Sequence, residues 1–523
     1  MRLLLPTSLD FLRLQARRRG DAGGLFFGGH QLTYAEIAHG AERLAAWLAK
    51  RGIGDGDHVA VMSANNPVMV ASTFAIWAIG GVTVPIAARS TAGEVAHLLA
   101  HSRARAVLSD GARADVARDA AAATSLPAYA AEPGLPFDAK VVRRAPGRLR
   151  RAAAAPRADA LAAIAYTSGT TGAPKGVMVT HANLFWSTLA CAQARGDRST
   201  AVGACISALT HTPVFVSHLL CRILLGASAV LLEKFDLPSL LDAVERFRIT
   251  DLPLIGGMVF DVVAMSSIPD RVRASVEKVS VGGAPTPMEA KHSLAALFPG
   301  AEIIEAYGQS ESTNGVAMAR GTSVFDHPGT VGSVNPHVVV AVRRSDGRLA
   351  AIEEEGEMVI GGPTVMRGYY RNRQATAAAL RDGWLHTGDL GRRNAAGYLF
   401  ITGRVKDVII TGGENVSPGE VEDVLRQHPD VADVAVIGTP HPKWGEQVTA
   451  VVVPRAGARP EAVALAAFAG TRLAGFKKPR RIEFVTALPR NAANKVQTSV
   501  LKEQLAAPVE SRESEGASPK RLA

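Results

Sequence analysis

Cysteine is scarce in this chain: Cys191, Cys205 and Cys221 are the only three, and they fall inside one hydrophobic region. None forms a CxxC pair or a Cys/His cluster with metal-ligand spacing, which excludes a disulfide framework and a structural zinc site. They are expected as buried thiols in a reducing cytoplasm. Aromatic residues make up only 5% of the sequence. The densest basic stretch, VVRRAPGRLRRAAAAPRAD, contains none, so it offers no platform for stacking unpaired bases. It reads as a solvated connector, and no nucleic-acid partner is expected. Long apolar runs are also missing. The most apolar long segment, HLLCRILLGASAVLLEKFD, is broken by Arg222 and Gly226 and falls short of the ~20 clean residues a membrane span needs. The N-terminal apolar run stops at Pro6 with no small-residue cleavage site after it, which reads as an amphipathic starting helix rather than a secretory leader. A Walker A pattern, GxxxxGK[ST], does not occur. GGLFFGG has the glycine spacing without the lysine and reads as a hairpin turn, which argues against an ordinary P-loop nucleotidase.

What is present is enough for a large, multi-domain body: 523 residues, 47% of them hydrophobic. The formal charge of +10 suits nucleic acid, a membrane surface or an anionic small molecule, and the location of the charge favours the last. Peripheral membrane contact stays open, as does the oligomeric state, with a homodimer as one form. Helical periodicity followed by an apolar strand recurs in TYAEIAHGAERLAAWLAKRGI with GDHVAVMSANN, in MVASTFAIWAIGGVTVPIAA, in EVAHLLAHSRARAVLSD and in LLDAVERFRITDLPLI. This alternation predicts an α/β architecture: a large N-terminal domain of mainly parallel sheets flanked by helices, with loops at strand ends as the candidate site. Beyond about Gly403 short charged helices alternate with β-branched strands, which predicts a small α+β C-terminal domain. The expected division is 1–405, 406–507 and a disordered polar tail at 508–523.

Between two strand-like runs, LAAIA and VMV, lies YTSGTTGAPKGVMVTH, residues 166–181. A segment this rich in Gly, Ser and Thr can turn successive backbone N–H groups toward one point, and its hydroxyls add donors. Lys175 supplies a positive charge at its far end. The combination suits phosphate oxygens.

The stretch YTSGTTGAPKGV closely resembles the phosphate-binding motif of the adenylate-forming superfamily, which contains acyl-CoA and aryl-CoA synthetases, luciferase and peptide-synthetase adenylation domains. EAYGQSES, DGWLHTGDLG, GYLFITGRVKDVIITGGENVSPGEVE and PRNAANKVQ resemble its later motifs in the same order. The resemblance spans roughly 25–505. It implies ATP, Mg²⁺ and coenzyme A as cofactors and a small-molecule carboxylic acid as partner. By the same resemblance Thr167, Ser168, Gly169, Thr170, Thr171, Gly172 and Lys175 hold the β- and γ-phosphates. Glu311, with the Thr167 hydroxyl, binds a mostly hydrated Mg²⁺. Tyr307 packs adenine, with Gly283, Ala284, Glu305, Ala306, Gly308 and Ser310 around the nucleotide. Asp389 accepts the ribose hydroxyls, assisted by Arg404. Lys495 neutralises charge on the α-phosphate and incoming carboxylate. Lys406 is the pivot of a mobile small domain. Gly412 and Gly413 line the pantetheine passage, and Trp444, Lys477 and Lys478 contact coenzyme A.

His211 in SALTHTPVFV resembles a pocket-gating position beside the carboxylate, although a satisfied core histidine is an equal reading. Gly256 and Gly257 stand where relatives carry Pro and Thr, and Ser310 replaces Thr in the YGxTE pattern. Val214, Val216, Met258 and Met318 form an apolar set that favours a fatty or aromatic acid over an amino acid. No buried arginine for a dicarboxylate can be located from sequence. The expected reaction is formation of acyl-AMP with release of pyrophosphate, then of acyl-CoA. The alternatives are loading of a carrier protein, a malonyl-type dicarboxylate ligase, or a non-catalytic nucleotide-binding regulator.

The Lys495 assignment predicts that Lys495→Ala abolishes pyrophosphate release from ATP and acid, yet leaves thioester formation from supplied acyl-AMP. Parental rates in both half-reactions would remove the assignment.

Overall fold

The computed structural model describes residues 5–19, 22–131, 156–167, 174–265, 267–283, 286–412, 414–490 and 496–505. The chain divides into two compact units. One comprises Met1–Val340 with Val359–His386, the other Ala341–Met358 with Thr387–Ala523. The basic connector at 141–155 and the tail at 508–523 lie outside the described residues. No helix among the described residues is long and apolar enough to cross a membrane.

The larger unit is built on two sheets. The first runs, in spatial order, Gly368–Tyr369, Lys175–Thr180, Leu161–Thr167, Val82–Ile86, His58–Met62, Ala106–Ser109 and Ala128–Ala130. Its strands are parallel from Leu161–Thr167 onward, and the two at the near edge are antiparallel. Strand runs such as HVAVM are almost continuously buried, as a sheet covered on both faces requires. The helix Pro67–Ala78 has no polar stripe and is buried at every residue. Its start is set by Asn66, whose side chain accepts from the N–H groups of Val68 and Met69, with Pro67 at the first turn. Reciprocal Thr/Glu caps start the helices Tyr34–Ala49 and Ala92–Ser102.

The second sheet of this unit contains, in order, Thr330–Val334, Gly315–Arg320, Glu302–Gly308, Lys278–Gly282, Asp251–Ile255, Val202–Cys205, Ser228–Leu231, Gly24–Phe27 and His30–Leu32. The six strands from Glu302–Gly308 to Gly24–Phe27 are parallel. Both margins are antiparallel, because the chain there returns by a short turn rather than by a helical crossover. The turn at Gly28 and Gly29, with φ of 54° and 81°, is the hairpin expected for GGLFFGG.

The N-terminal ends of these parallel strands are held by buried charge. Arg195 pairs with Asp197, Arg222 reaches Asp197 at 3.5 Å and Asp251 at 3.2 Å, and Lys278 donates to the carbonyls of Arg195 and Gly196 at 2.8 and 2.7 Å. A Cβ on Gly203 would lie 2.5 Å from Arg222 Nε, so the strand must carry glycine where it passes the guanidinium. The buried arginines that the sequence could not locate are therefore here, already paired. All three cysteines are buried and free, as expected.

The smaller unit contains a sheet in the order Glu414–Val416, Ile409–Thr411, Gly445–Pro454 and Val431–His441, with Arg481–Phe484 parallel to Gly445–Pro454. Alternation along Val431–His441 sends Val434 and Val436 to one face, with Val421, Leu425 and Leu465. It sends Ala435 and Ile437 to the other, with Leu488 and Leu501. This is the α+β texture predicted beyond Gly403.

His181 opens the helix His181–Arg195 directly after the strand Lys175–Thr180. It is 1% exposed, and neither ring nitrogen has a hydrogen-bond partner among the described residues. Its ring meets Trp77 edge-on at 5.4 Å. Burial pushes its pKa down to about 4, opposed weakly by Asp10. The unfolded chain binds this proton near pH 6.5 and the folded chain only near 4, so stability falls as pH drops through that window. At pH 5 the loss attributable to this ring is about 2 kcal/mol. Chemical-denaturation measurements at pH 8 and pH 5 should find His181→Phe losing less stability on acidification than the parent, by about that amount.

Candidate functional site

The two strands that flank the hydroxyl-rich stretch pair as an antiparallel hairpin. Leu161–Thr167 pairs antiparallel with Lys175–Thr180, with Tyr166 opposite Gly176 and Thr167 opposite Lys175. Thr167 and Lys175 thus face each other at its mouth, while Ser168, Gly169, Thr170, Thr171 and Gly172 lie outside the described residues. The stem is tightly packed: a Cβ on Gly176 would lie 2.7 Å from Ile164 Cγ2 and 3.3 Å from the Tyr166 ring. The Tyr166 hydroxyl is anchored on His101 Nδ1 at 2.7 Å.

Residues 363–370 connect this hairpin to the turn Ser310–Ser312. Asn183, at the start of the helix after the hairpin, donates to the carbonyls of Pro363 and Val365 at 2.7 and 2.9 Å. Thr313 Oγ1 donates to the Thr364 carbonyl at 2.7 Å, and Met366 N–H donates to the Glu311 carbonyl at 2.8 Å. Arg367 N–H and Tyr370 N–H then donate to Met178 and Gly176 at 3.0 and 2.7 Å, and Gly368–Tyr369 pairs as a strand with Val177 and Met178. Thr313 has φ +67°, a conformation that a β-branched residue adopts only when its surroundings impose it.

This wiring brings Tyr369, which sequence reasoning missed, between two residues it had singled out. The Tyr369 hydroxyl donates to Glu311 Oε1 at 2.8 Å, and Lys175 Nζ lies 5.4 Å from the Tyr369 ring centre. Burial, followed by the neighbouring Glu311 charge, pushes the Tyr369 phenol above its usual range. The only sequence signal was the paired aromatics of VMRGYYRN, which carry no chemistry by themselves. A magnesium ion fits this corner. Glu311 is a half-buried hard oxygen donor, and no described residue hydrogen-bonds its Oε2. No cluster of three or more His, Cys, Asp or Glu suited to a metal occurs among the described residues. Ion binding here would therefore be completed by water and phosphate.

At the C-terminal ends of three parallel strands, where a parallel sheet places its ligand-binding loops, Ile255, Gly282 and Ala306 are in register. Gly283 has φ +78°, and a Cβ on Gly282 would be 2.7 Å from the Ala306 carbonyl oxygen. Tyr307 is half-buried at the end of its strand. Gly308 follows at a bulge, where a Cβ would lie 2.3 Å from the Asn314 carbonyl. Ser310 opens the turn that carries Glu311. Ala284 lies outside the described residues. Glu305 is different from its neighbours: its carboxylate is buried against Lys291 at 2.7 Å, with burial pushing its carboxyl up and Lys291 opposing. Its side chain is engaged within the fold, on the helix that follows the Gly283 turn.

His211 is exposed and precedes Thr212–Val214, which continues into a π-helical turn at Phe215–Leu220. The loop leading to it is held by buried Asn65, whose amide donates to Ser207 at 2.8 Å and accepts from Leu209 N–H at 2.9 Å. Val214, Val216 and Met318 are buried, and half-buried Met258 has its sulfur 3.8 Å from Ser207 Oγ.

In the smaller unit Asp389 and Arg404 stand opposite each other on antiparallel strands and form an ion pair at 2.8 Å, with Asp389 buried. Burial, chiefly, holds the Lys406 ammonium below its usual range. Gly412 has φ +61°, and a Cβ there would be 2.9 Å from the Trp444 ring, so its glycine is explained by packing inside this unit. Trp444 lies between two cations, Lys443 and Arg480, each 4.7 Å from the ring. Lys477 is bound to both carboxylate oxygens of Glu420 at 2.7 Å. Gly413 and Lys495 lie outside the described residues.

Comparison with known proteins bears on the family and the fold. Residues 12–370 match the family described as AMP-binding enzyme, and residues 420–495 match the AMP-binding enzyme C-terminal domain. Feruloyl-CoA synthase of an Amycolatopsis species is 34% identical, over 92% of this chain and 96% of that protein. Indoleacetate–CoA ligase of Aromatoleum aromaticum is 31% identical, over 92% and 94%. The crystal structure of ATP-bound MatB from Rhodopseudomonas palustris superposes with a TM-score of 0.86 at 30% identity, covering 95% of this chain and 99% of that one.

Removing one partner of a buried ion pair destabilises by about 3–5 kcal/mol. Lys291→Met is therefore expected to lower stability by that order, and Lys291→Met combined with Glu305→Leu to recover most of it with ATP affinity unchanged. A stable double variant that has lost ATP binding in calorimetry would instead give the Glu305 carboxylate a direct nucleotide role.

Proposed function

Because this chain belongs to the AMP-binding enzyme family, we propose that it is an acid–thiol ligase that activates a fatty or aromatic carboxylic acid with ATP and transfers the acyl group to coenzyme A. The reading is carried by one observation: Lys175, Tyr369 and Glu311 meet at the mouth of the hairpin whose strands flank the hydroxyl-rich stretch. A cation on one side and a hard carboxylate on the other is the charge pattern a bound triphosphate and its metal require. When bound, Mg²⁺ supplies charge neutralisation on the phosphate oxygens.

Attack of the acid's carboxylate on the α-phosphorus of ATP forms the acyl–phosphate bond and breaks the bond to pyrophosphate. Lys175 and the loop donors stabilise the leaving pyrophosphate, and Lys495 stabilises charge at the α-phosphate. The thiolate of coenzyme A then attacks the acyl carbon, AMP leaves, and the thioester forms. Tyr307 offers an aromatic face for adenine, and Asp389 with Arg404 offers the ribose acceptor. Lys406, read as the pivot between the two half-reactions, lies within the smaller unit, past its start at Thr387.

An apolar acid is favoured by Val214, Val216, Met258 and Met318. Among the described residues the two buried arginines, Arg195 and Arg222, are engaged by Asp197 and Asp251 at the N-terminal ends of the strands, which leaves neither free for a second carboxylate. A mixed pool of fatty, aryl and dicarboxylic acids, incubated with ATP, Mg²⁺ and coenzyme A, tests the reading by mass spectrometry. The expected products are AMP, pyrophosphate and the CoA thioester of an apolar acid. Accumulation of acyl-AMP without thioester, relieved by a carrier protein, would replace coenzyme A as acceptor. ADP as product would overturn the reaction class.

A further inference from the structure

We propose that Tyr369 is a positioning residue for the metal carboxylate: its hydroxyl fixes Glu311 by one oxygen and leaves Oε2 directed to the cation that accompanies ATP. The inference rests on the reading of Glu311 as the magnesium ligand and adds a residue that none of the family-like motifs in this chain singles out. Three observations carry it. The hydrogen bond is short and specific, 2.8 Å from the phenol to Oε1. The backbone of Tyr369 cannot drift, because it is paired with Val177 and because its N–H donates to Thr376 Oγ1 at 2.9 Å. The carboxylate's own backbone is tied to the same segment through Met366 N–H at 2.8 Å.

A carboxylate on a short turn can rotate about its side-chain torsions. One donor on Oε1 removes most of that freedom before the metal arrives, which is how a second layer of residues tunes a metal site. The ring of Tyr369 adds a second link, since Lys175 lies over it. Phosphate-binding cation and metal-binding anion are then set at a spacing fixed by a single side chain.

The test separates hydroxyl, ring and carboxylate. Calorimetric titration of the full-length protein with ATP, with and without Mg²⁺, is compared for parent, Tyr369→Phe, Glu311→Gln and the double variant. Losing the outer partner that orients a metal ligand typically costs on the order of ten- to a hundredfold in metal affinity. Tyr369→Phe should therefore weaken Mg²⁺-dependent ATP binding roughly ten- to a hundredfold, leaving metal-free ATP binding unchanged because the ring stays. In the Glu311→Gln background Tyr369→Phe should have little further effect, the non-additivity expected of a residue that acts through another. If Glu311→Gln leaves the Mg²⁺ dependence intact, the magnesium assignment itself fails. If Glu311→Gln abolishes it while Tyr369→Phe changes nothing, or if the two effects simply add, Tyr369 is not a positioning residue. Should Tyr369→Phe lower the unfolding temperature, Thr376→Val provides the second variant. It loosens the Tyr369 backbone without touching the hydroxyl, and it should shift the Mg²⁺ dependence in the same direction by a smaller factor; no shift would count against the proposal.

Discussion

The backbone hydrogen bonds of residues 363–370 are the constraint on which the site of the larger unit depends. Hairpin and Glu311 turn are far apart in sequence. A segment from a third place in the chain bonds both: Met366 to the Glu311 carbonyl, Arg367 and Tyr370 to Met178 and Gly176. Because backbone groups do this work, the spacing is insensitive to most side-chain changes and sensitive to register. A one-residue slip of Gly368–Tyr369 against Val177–Met178 would turn the phenol away from Glu311.

The parallel strands of the second sheet separate two kinds of charge. At their N-terminal ends Arg195, Arg222 and Lys278 are buried with Asp197 and Asp251, and there the charges hold strands together. The C-terminal ends carry glycines whose Cβ atoms would strike backbone, followed by half-buried polar groups. Loops at that end can approach a ligand closely because they lack side chains, and the ends of parallel strands point their backbones the same way. Stability thereby rests on one edge of the element, and the proposed chemistry on the other.

Some residues with a family-like position are explained first by packing. Gly412 makes room for the Trp444 ring, Lys477 neutralises Glu420, and Glu305 neutralises Lys291. In each the local contact is short and buried or bidentate, so it constrains the residue before any ligand does. Asp389 is the instructive contrast: it is paired with Arg404, yet the arginine is 42% exposed and can exchange its partner.

The sequence alone determined a good deal here. Helix–strand alternation carried the α/β class, because burial on both faces of a parallel sheet leaves an almost unbroken apolar run. The change of texture near Gly403 carried the α+β character of the smaller unit, but not its bounds, which take in Ala341–Met358 and begin again at Thr387. The glycine- and hydroxyl-rich stretch carried the candidate phosphate loop, since its chemistry is local and contiguous. Asp389 and Arg404 could be named because each sits in its own dense motif. Only the tertiary structure decided that Tyr369 stands between Lys175 and Glu311, that Glu305 is occupied by Lys291, and that Arg195 and Arg222 are paired at the N-terminal ends of the strands. These are contacts between residues far apart in the chain, set by strand register and helix packing, and no local pattern of residues encodes them.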